Sequence, residues 1–185
     1  MAWHVRQARA SDMASIAEIT NAHILDGVAH FGDRPGSAET WRADWQASRA
    51  RYPWYVAEED GIVLGFAYAK RFNPRAAYDW TAEVTVYLRD DASGRGVGSA
   101  LYQRLLATLD AQGYRCLVAG ITTPNEASVR LHEKSGFRFL GTLERVGYKH
   151  GRWLDVGSWQ RHVGPRDDSP PGPILPVEEI DPPAM

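Results

Sequence analysis

The stretch "DDASGRGVGSALYQRLL", residues 90–106, decides the fold. Three glycines alternate at Gly94, Gly96 and Gly98, and a helical pattern of apolar residues starts at once. A strand-like run, "WTAEVTVYL", comes immediately before. Glycine reaches backbone angles that turn successive N–H groups inward, and it lets a ligand approach the main chain. The start of the helix adds a partial positive charge. Together these features suit a phosphate or pyrophosphate. A tight strand-to-helix turn with no ligand is the other reading of the same spacing.

The surrounding residues narrow the ligand. A nucleotide P-loop ends in Gly-Lys-Ser/Thr, whereas Gly98 is followed by Ser99-Ala100. A dinucleotide fold needs G-x-G-x-x-G and an acidic residue about 20 positions on. Here the third glycine comes one residue too early, and the next apolar run, "LVAGIT", carries no acid.

Outward from this loop the chain alternates strands and helices. "WHVRQA" reads as a strand, followed by a helix that Ser11 can cap. Ser37 can cap a second helix that carries Trp41 and Trp45 on one face. "WYVAE" and "IVLGFAYAKRF" read as a hairpin around Asp60-Gly61. After the loop "NPRAAYD" come the strand "WTAEVTVYL", the glycines, and a helix closed by Gly113. "CLVAGI" is a strand, "PNEASVRLHEKSG" a helix stopped by Gly136, and "FRFLGTLERVGY" and "WLDVGSWQRHV" two last strands. Residues 164–185 are proline-rich without periodicity and read as a disordered tail behind one domain of residues 1–163.

Composition excludes several classes. With 44% apolar and 24% charged residues the 185-residue chain is an ordinary globular one, and its net charge of −2 draws it neither to nucleic acid nor to an anionic membrane. The single cysteine, Cys116, leaves no disulfide framework and no cysteine-based metal site. The amino-terminal residues have no apolar signal core, so a cytoplasmic protein is expected, with no nucleic-acid or membrane partner.

Four stretches in order carry a resemblance. "VTVYLRDDASGRGVGSALYQRLL" and "PNEASVRLHEKSGFRFLGTL" resemble the two conserved segments of the GNAT superfamily of N-acetyltransferases. "NPRAAYDWTAEVTVYL" and "GYKHGRWLDVGSWQRHV" resemble its phosphinothricin acetyltransferase branch. The likeness runs from about Val5 to Val163. It departs from the pattern at Ser93, where Gln or Arg is usual, and at Phe72-Asn73, where the branch has tryptophan-lysine. The resemblance implies an α/β GNAT fold: a central mixed, mostly antiparallel sheet of about seven strands, splayed at the middle and flanked by about four helices. It implies an acetyl-CoA-dependent transfer to the amine of a small amino acid, such as phosphinothricin or methionine sulfoximine or sulfone. It implies no metal, and a homodimer.

The residues fit such chemistry, each with a plainer alternative beside it. The attacking amine arrives protonated, so a base is required. Glu83, inside an apolar strand, is the candidate, and partial desolvation would raise its pKa. The plainer reading is a glutamate on the wet face of an edge strand. His132 stands where many relatives have a tyrosine near the leaving sulfur. It is expected to donate a proton there or to hold the substrate, unless it is a structural histidine. By resemblance, main chain at Val86, Tyr87 and Leu88 pairs with pantetheine. The N–H groups of Gly94, Arg95, Gly96, Val97, Gly98 and Ser99 ring the pyrophosphate, and Asn125 and Ser128 lie near the cofactor's thiol end. Arg75 is expected to grip the substrate carboxylate in a bidentate fork, with Tyr78 and Tyr87 as walls, while Lys70 and Arg71 read as solvated surface charges. Two other classes stay open: a non-catalytic acyl-CoA-binding module, and a protein N-terminal, lysine or other amine acetyltransferase of the same fold.

Overall fold

The computed structural model describes residues 3–180. Seven strands form one sheet: β1 (His4–Gln7), β2 (Trp54–Glu59), β3 (Ile62–Arg71), β4 (Thr81–Leu88), β5 (Cys116–Thr123), β6 (Arg138–Lys149) and β7 (Arg152–His162). Their order across the sheet is β1-β2-β3-β4-β5-β7-β6. All neighbours are antiparallel except β4 and β5. Four helices flank the sheet: α1 (Met13–Leu25), α2 (Ala38–Ser48), α3 (Val97–Gln112) and α4 (Glu126–Lys134). This is the architecture expected from the sequence.

Both faces of the sheet centre are buried, as the near-continuous apolar runs of β2 and β3 require. Alternation then sorts the side chains. Tyr55, Ala57 and Ala67 face α3, with Leu101, Leu105 and Leu109 across from them. Trp54, Val56 and Phe66 face Met13, Ile16 and Ile19 of α1, with Trp41 and Trp45 of α2 packed at the edge. The hairpin at Asp60-Gly61 forms as predicted, with φ of 50° and 81°. Ser37 caps α2 by accepting from the Thr40 N–H at 3.2 Å. Ser11 does not cap α1. A short 3-10 turn precedes that helix, and the Asp12 carboxylate accepts from the Arg9 N–H at 2.7 Å. Arg6 grips that buried carboxylate in a fork and also bonds Glu58.

The break that creates the site lies in the middle of the sheet. β4 and β5 run parallel and pair only over Thr81–Cys116, Ala82–Leu117 and Glu83–Val118. Beyond Glu83 they part, so Val84 to Leu88 keep β3 on one side and have no β5 partner on the other.

The carboxy-terminal stretch departs from its reading as a disordered tail. Trp80 Nε1 donates to Gly172 O at 2.7 Å. Leu175 N–H donates to Gln112 O at 2.9 Å, and Gln112 Nε2 donates back to Leu175 O at 2.7 Å. Val177 N–H donates to Ala50 O at 2.8 Å, and its side chain is buried. Aperiodic sequence cannot form a core, but it can follow one as an extended strap whose main chain finds partners on the domain. Residues 181–185, the end of that predicted tail, lie outside the described residues. Among the described residues no helix is long and apolar enough to cross a membrane.

Candidate active site

A cavity of about 540 Å³ opens where β4 and β5 part. Its walls come from β3, β4, β5, α3 and the loop before it, α4, and the loop after α1. Of the residues expected to form a site, Glu83, Val86, Tyr87, Leu88, Asn125, Ser128 and His132 line it.

Glu83 is the last β4 residue paired with β5, so its carboxylate stands at the fork. It is less desolvated than an apolar strand suggested, with a side chain 32% exposed and an ion pair to Lys70 Nζ at 3.1 Å. Lys70 faces Glu83 directly across β3 and β4, so it is a cavity residue and not a distant surface charge. Tyr68, also on the wall, has its phenol pushed up to about 12, by burial first and by the Glu83 charge second.

His132 is buried and has both ring nitrogens engaged. Nδ1 lies 2.7 Å from Ser128 O, a carbonyl that can only accept, so Nδ1 carries the hydrogen. Nε2 lies 2.7 Å from Tyr102 Oη and therefore accepts from that hydroxyl. Burial pushes the imidazole below its ordinary range, opposed in part by the Ser128 carbonyl, so the ring is neutral at pH 7. Burial raises the Tyr102 phenol. The proton at this wall thus sits on Tyr102 Oη. Asn125 caps α4 as expected, its Oδ1 accepting from the Ser128 N–H at 3.1 Å.

The glycine loop divides into two tasks. Gly94 and Gly96 hold φ of 75° and 81°, and the left-handed Gly96 starts α3. An added Cβ at either would meet nothing within 4 Å, so these glycines serve backbone shape and leave open space in front of it. Gly98 differs. A Cβ there would meet Leu131 Cδ2 and Leu88 Cδ1 at 3.4 Å, an ordinary van der Waals contact, so this position lies against side chains where Gly94 and Gly96 face open space. The first turn of α3, with Val97, Gly98 and Ser99, leaves N–H groups without intrahelical acceptors. Arg95 points to β2, where it pairs with Glu59 at 2.7 Å. Asp90 and Ser93 are the loop residues that reach the cavity.

Arg75 and Tyr78 are not among the lining residues. Arg71 donates to the carbonyls of Asn73 and Pro74, and with Arg51 it holds Asp79. These contacts fix the loop so that Arg75 is exposed, while Tyr78 rests edge-on against Phe72. The cavity instead recruits residues the sequence did not suggest. His23 and His30 flank the Tyr87 ring at 5.1 and 6.0 Å, and Phe31 and Thr85 complete this end. Among the described residues no group of three or more His, Cys, Asp or Glu is placed to hold a metal ion.

Comparison with known proteins places this geometry. The model of the acetyltransferase (GNAT) domain matches residues 5–157. The chain is 45% identical to a phosphinothricin N-acetyltransferase of Streptomyces viridochromogenes, over 95% of each chain. It is 36% identical to an L-methionine sulfoximine/L-methionine sulfone acetyltransferase of Pseudomonas paraeruginosa, over 92% of this chain and 100% of that one. Among solved structures, a GNAT superfamily phosphinothricin acetyltransferase from Sinorhizobium meliloti in complex with AcCoA superposes with a TM-score of 0.87 at 36% identity. The match covers 93% of this chain and 94% of that one.

Proposed function

The chain belongs to the GNAT acetyltransferase family and is an acetyl-CoA-dependent N-acetyltransferase; from that premise we propose that its acceptor is the α-amino group of a small amino acid or analogue of the phosphinothricin or methionine sulfone kind. The position of Glu83 carries this reading. Its carboxylate stands at the fork of β4 and β5, inside a cavity of about 540 Å³, which suits a small acceptor better than a polypeptide.

The residues present fit acetyl-CoA. The main chain of Val86, Tyr87 and Leu88, paired with β3 on one side and free of β5 on the other, would take the pantetheine amides as a substitute strand, with the Leu88 carbonyl already met by His23 Nε2 at 3.0 Å. The N–H groups from Gly94 to Ser99, fronted by open space at Gly94 and Gly96, would take the pyrophosphate. Asn125 and Ser128 would stand by the thiol end. When bound, acetyl-CoA supplies the acetyl group as a reactive thioester. Glu83 takes a proton from the substrate ammonium, directly or through water. Tyr102 and His132 share one hydrogen at the opposite wall, a polar pair that would stand beside the departing sulfur. His132 acts through Tyr102 in this scheme, because its own Nε2 carries no hydrogen.

We further infer a homodimer. Phe139, Leu140, Leu143, Val146, Tyr148 and Trp153 lie exposed on the β6–β7 edge of the sheet, an apolar face that a second copy would cover. One free cysteine suits the reducing cytoplasm. The substrate proposal is tested by thiol release from acetyl-CoA with phosphinothricin, methionine sulfone and a peptide amine. Turnover of the two amino acids and not the peptide is expected. Faster turnover of the peptide would replace this reading by protein acetylation.

A further inference from the structure

Among the described residues Gly65, Gly120, Gly141, Gly147 and Gly157 lie inside strands. A glycine weakens a strand, so each calls for a reason. For three of them the reason is packing. A Cβ at Gly65 would collide with Leu88 and the Tyr87 carbonyl, one at Gly147 with the Phe31 ring, and one at Gly157 with the Trp159 ring. Gly141 stands where the β6–β7 register shifts. Gly120 has none of these reasons. Its φ lies outside the left-handed region, and its pairing with Ser158 falls in an unbroken register. An added Cβ would make an ordinary contact with Val156 Cγ1 at 3.4 Å and meet nothing closer. Gly120 is exposed, and it lines the cavity.

A strand glycine that neither backbone shape nor packing requires marks a place where a ligand comes close. We propose that Gly120 sets the reach of the acceptor: its missing side chain leaves a notch in the cavity wall that takes the far end of the acceptor's side chain. The inference rests on the reading of Glu83 as the group that meets the acceptor amine. Leu117, Ala119 and Ile121 pack on the α3 face of the sheet with Ala82 and Val84, so by alternation Gly120 and Glu83 share the other face. Glu83 pairs in register with Val118, and Gly120 lies two residues farther along β5. At about 3.3 Å per residue, that is about 7 Å beyond the level of Glu83. An extended chain advances about 1.2 Å per bond, so about five or six bonds lead from the amine to the notch. In an acceptor of the methionine sulfone kind, about five bonds from the nitrogen reach the sulfone oxygens and the terminal methyl group.

The surroundings fit this use. Val156 borders the notch on the β7 side, and Thr122, buried at 5% exposure, continues the wall along β5. A side chain at position 120 would rise into the space between them. Acceptors long enough to arrive there would lose room, and shorter ones would lose little. Acetyl-CoA is expected on the main chain of β4 and in the loop before α3, away from this notch.

The test compares Gly120→Ala and Gly120→Val with the wild type on L-methionine sulfone, which reaches the notch, and L-alanine, which stops short of it. Gly120→Ala should raise the melting temperature by roughly 1–4 °C, because alanine holds a strand better than glycine and meets no clash here. The same variant should lower the ratio of kcat/KM for methionine sulfone to that for alanine about tenfold or more, mainly through KM, as one methyl group does in a fitted pocket. Gly120→Val should lower the ratio further. Acetyl-CoA affinity, measured by calorimetry, should hold in both. A lower melting temperature in Gly120→Ala would assign the glycine to the structure and overturn the proposal. Equal losses on both acceptors, or a fall in acetyl-CoA affinity, would also overturn it while leaving amine acetylation standing. A wild type that acetylates neither amino acid would overturn the acceptor reading beneath it, and the proposal with it.

Discussion

Replacing Tyr102 with phenylalanine removes one oxygen and tests the buried pair at the cavity wall. Tyr102 Oη donates to His132 Nε2 at 2.7 Å, and the other ring nitrogen is committed to Ser128 O. Without the hydroxyl, Nε2 remains an acceptor on a side chain that is 4% exposed. An orphaned buried acceptor costs about 1–3 kcal/mol. For a chain of this size each kcal/mol moves the melting temperature by roughly 2–4 °C, so Tyr102→Phe should melt roughly 2–12 °C lower. His132→Leu should destabilise as well, because it orphans the hydroxyl. The double variant removes donor and acceptor together and should melt higher than the sum of the single losses predicts, with a coupling of about 1–3 kcal/mol. Thermal melting followed by circular dichroism reads all four proteins. Turnover of Tyr102→Phe should fall by about tenfold, equivalent to ~1.4 kcal/mol of barrier, with acetyl-CoA affinity preserved. A melting temperature unchanged within a degree, or strictly additive losses in the cycle, would refute the hydrogen-bonded pair.

Truncation after Val163 should lower the melting temperature by several degrees, since it strips Gln112, Trp80 and Ala50 of strap partners and uncovers the Val177 site. An unchanged melting curve would show that the strap does not pack. Gly96→Val places a β-branched side chain at a φ of 81° and should raise KM for acetyl-CoA strongly while the protein still folds. Normal acetyl-CoA binding by calorimetry in that variant would remove the loop from the phosphate site.

The fold was legible because its punctuation is local. Asp60-Gly61, Ser37, Gly113 and Gly136 each mark a turn or helix end through chemistry confined to a few residues. The glycine run announced the α3 turn for the same reason, with Gly94 and Gly96 at positive φ. Glu83 stood out as a charge in an apolar strand. Its partner did not, because Lys70 meets it only through β3–β4 register, which sequence spacing does not show. Tyr102 was hidden in another way. It sits on the apolar stripe of α3, where an aromatic reads as core, and only the packing of α4 brings His132 to its hydroxyl. The strap escaped notice because its bonds are made by main chain, which composition does not reveal. Arg75 entered the site by analogy, and the contacts of Arg71 and Arg51 with Asp79 that hold its loop are not visible in sequence spacing.

The central claim is that Glu83 accepts the proton of the attacking amine, and Glu83→Gln isolates that function because it keeps the shape of the side chain. Thiol release from acetyl-CoA should be followed at neutral pH with L-methionine sulfone at saturation, for wild type and variant, with acetyl-CoA affinity measured in parallel by calorimetry. The account predicts a turnover loss of at least about 100-fold, equivalent to ~2.7 kcal/mol of barrier, with acetyl-CoA affinity unchanged. The loss should shrink as pH rises and more of the substrate amine arrives already deprotonated. Turnover near the wild-type value at neutral pH would contradict it.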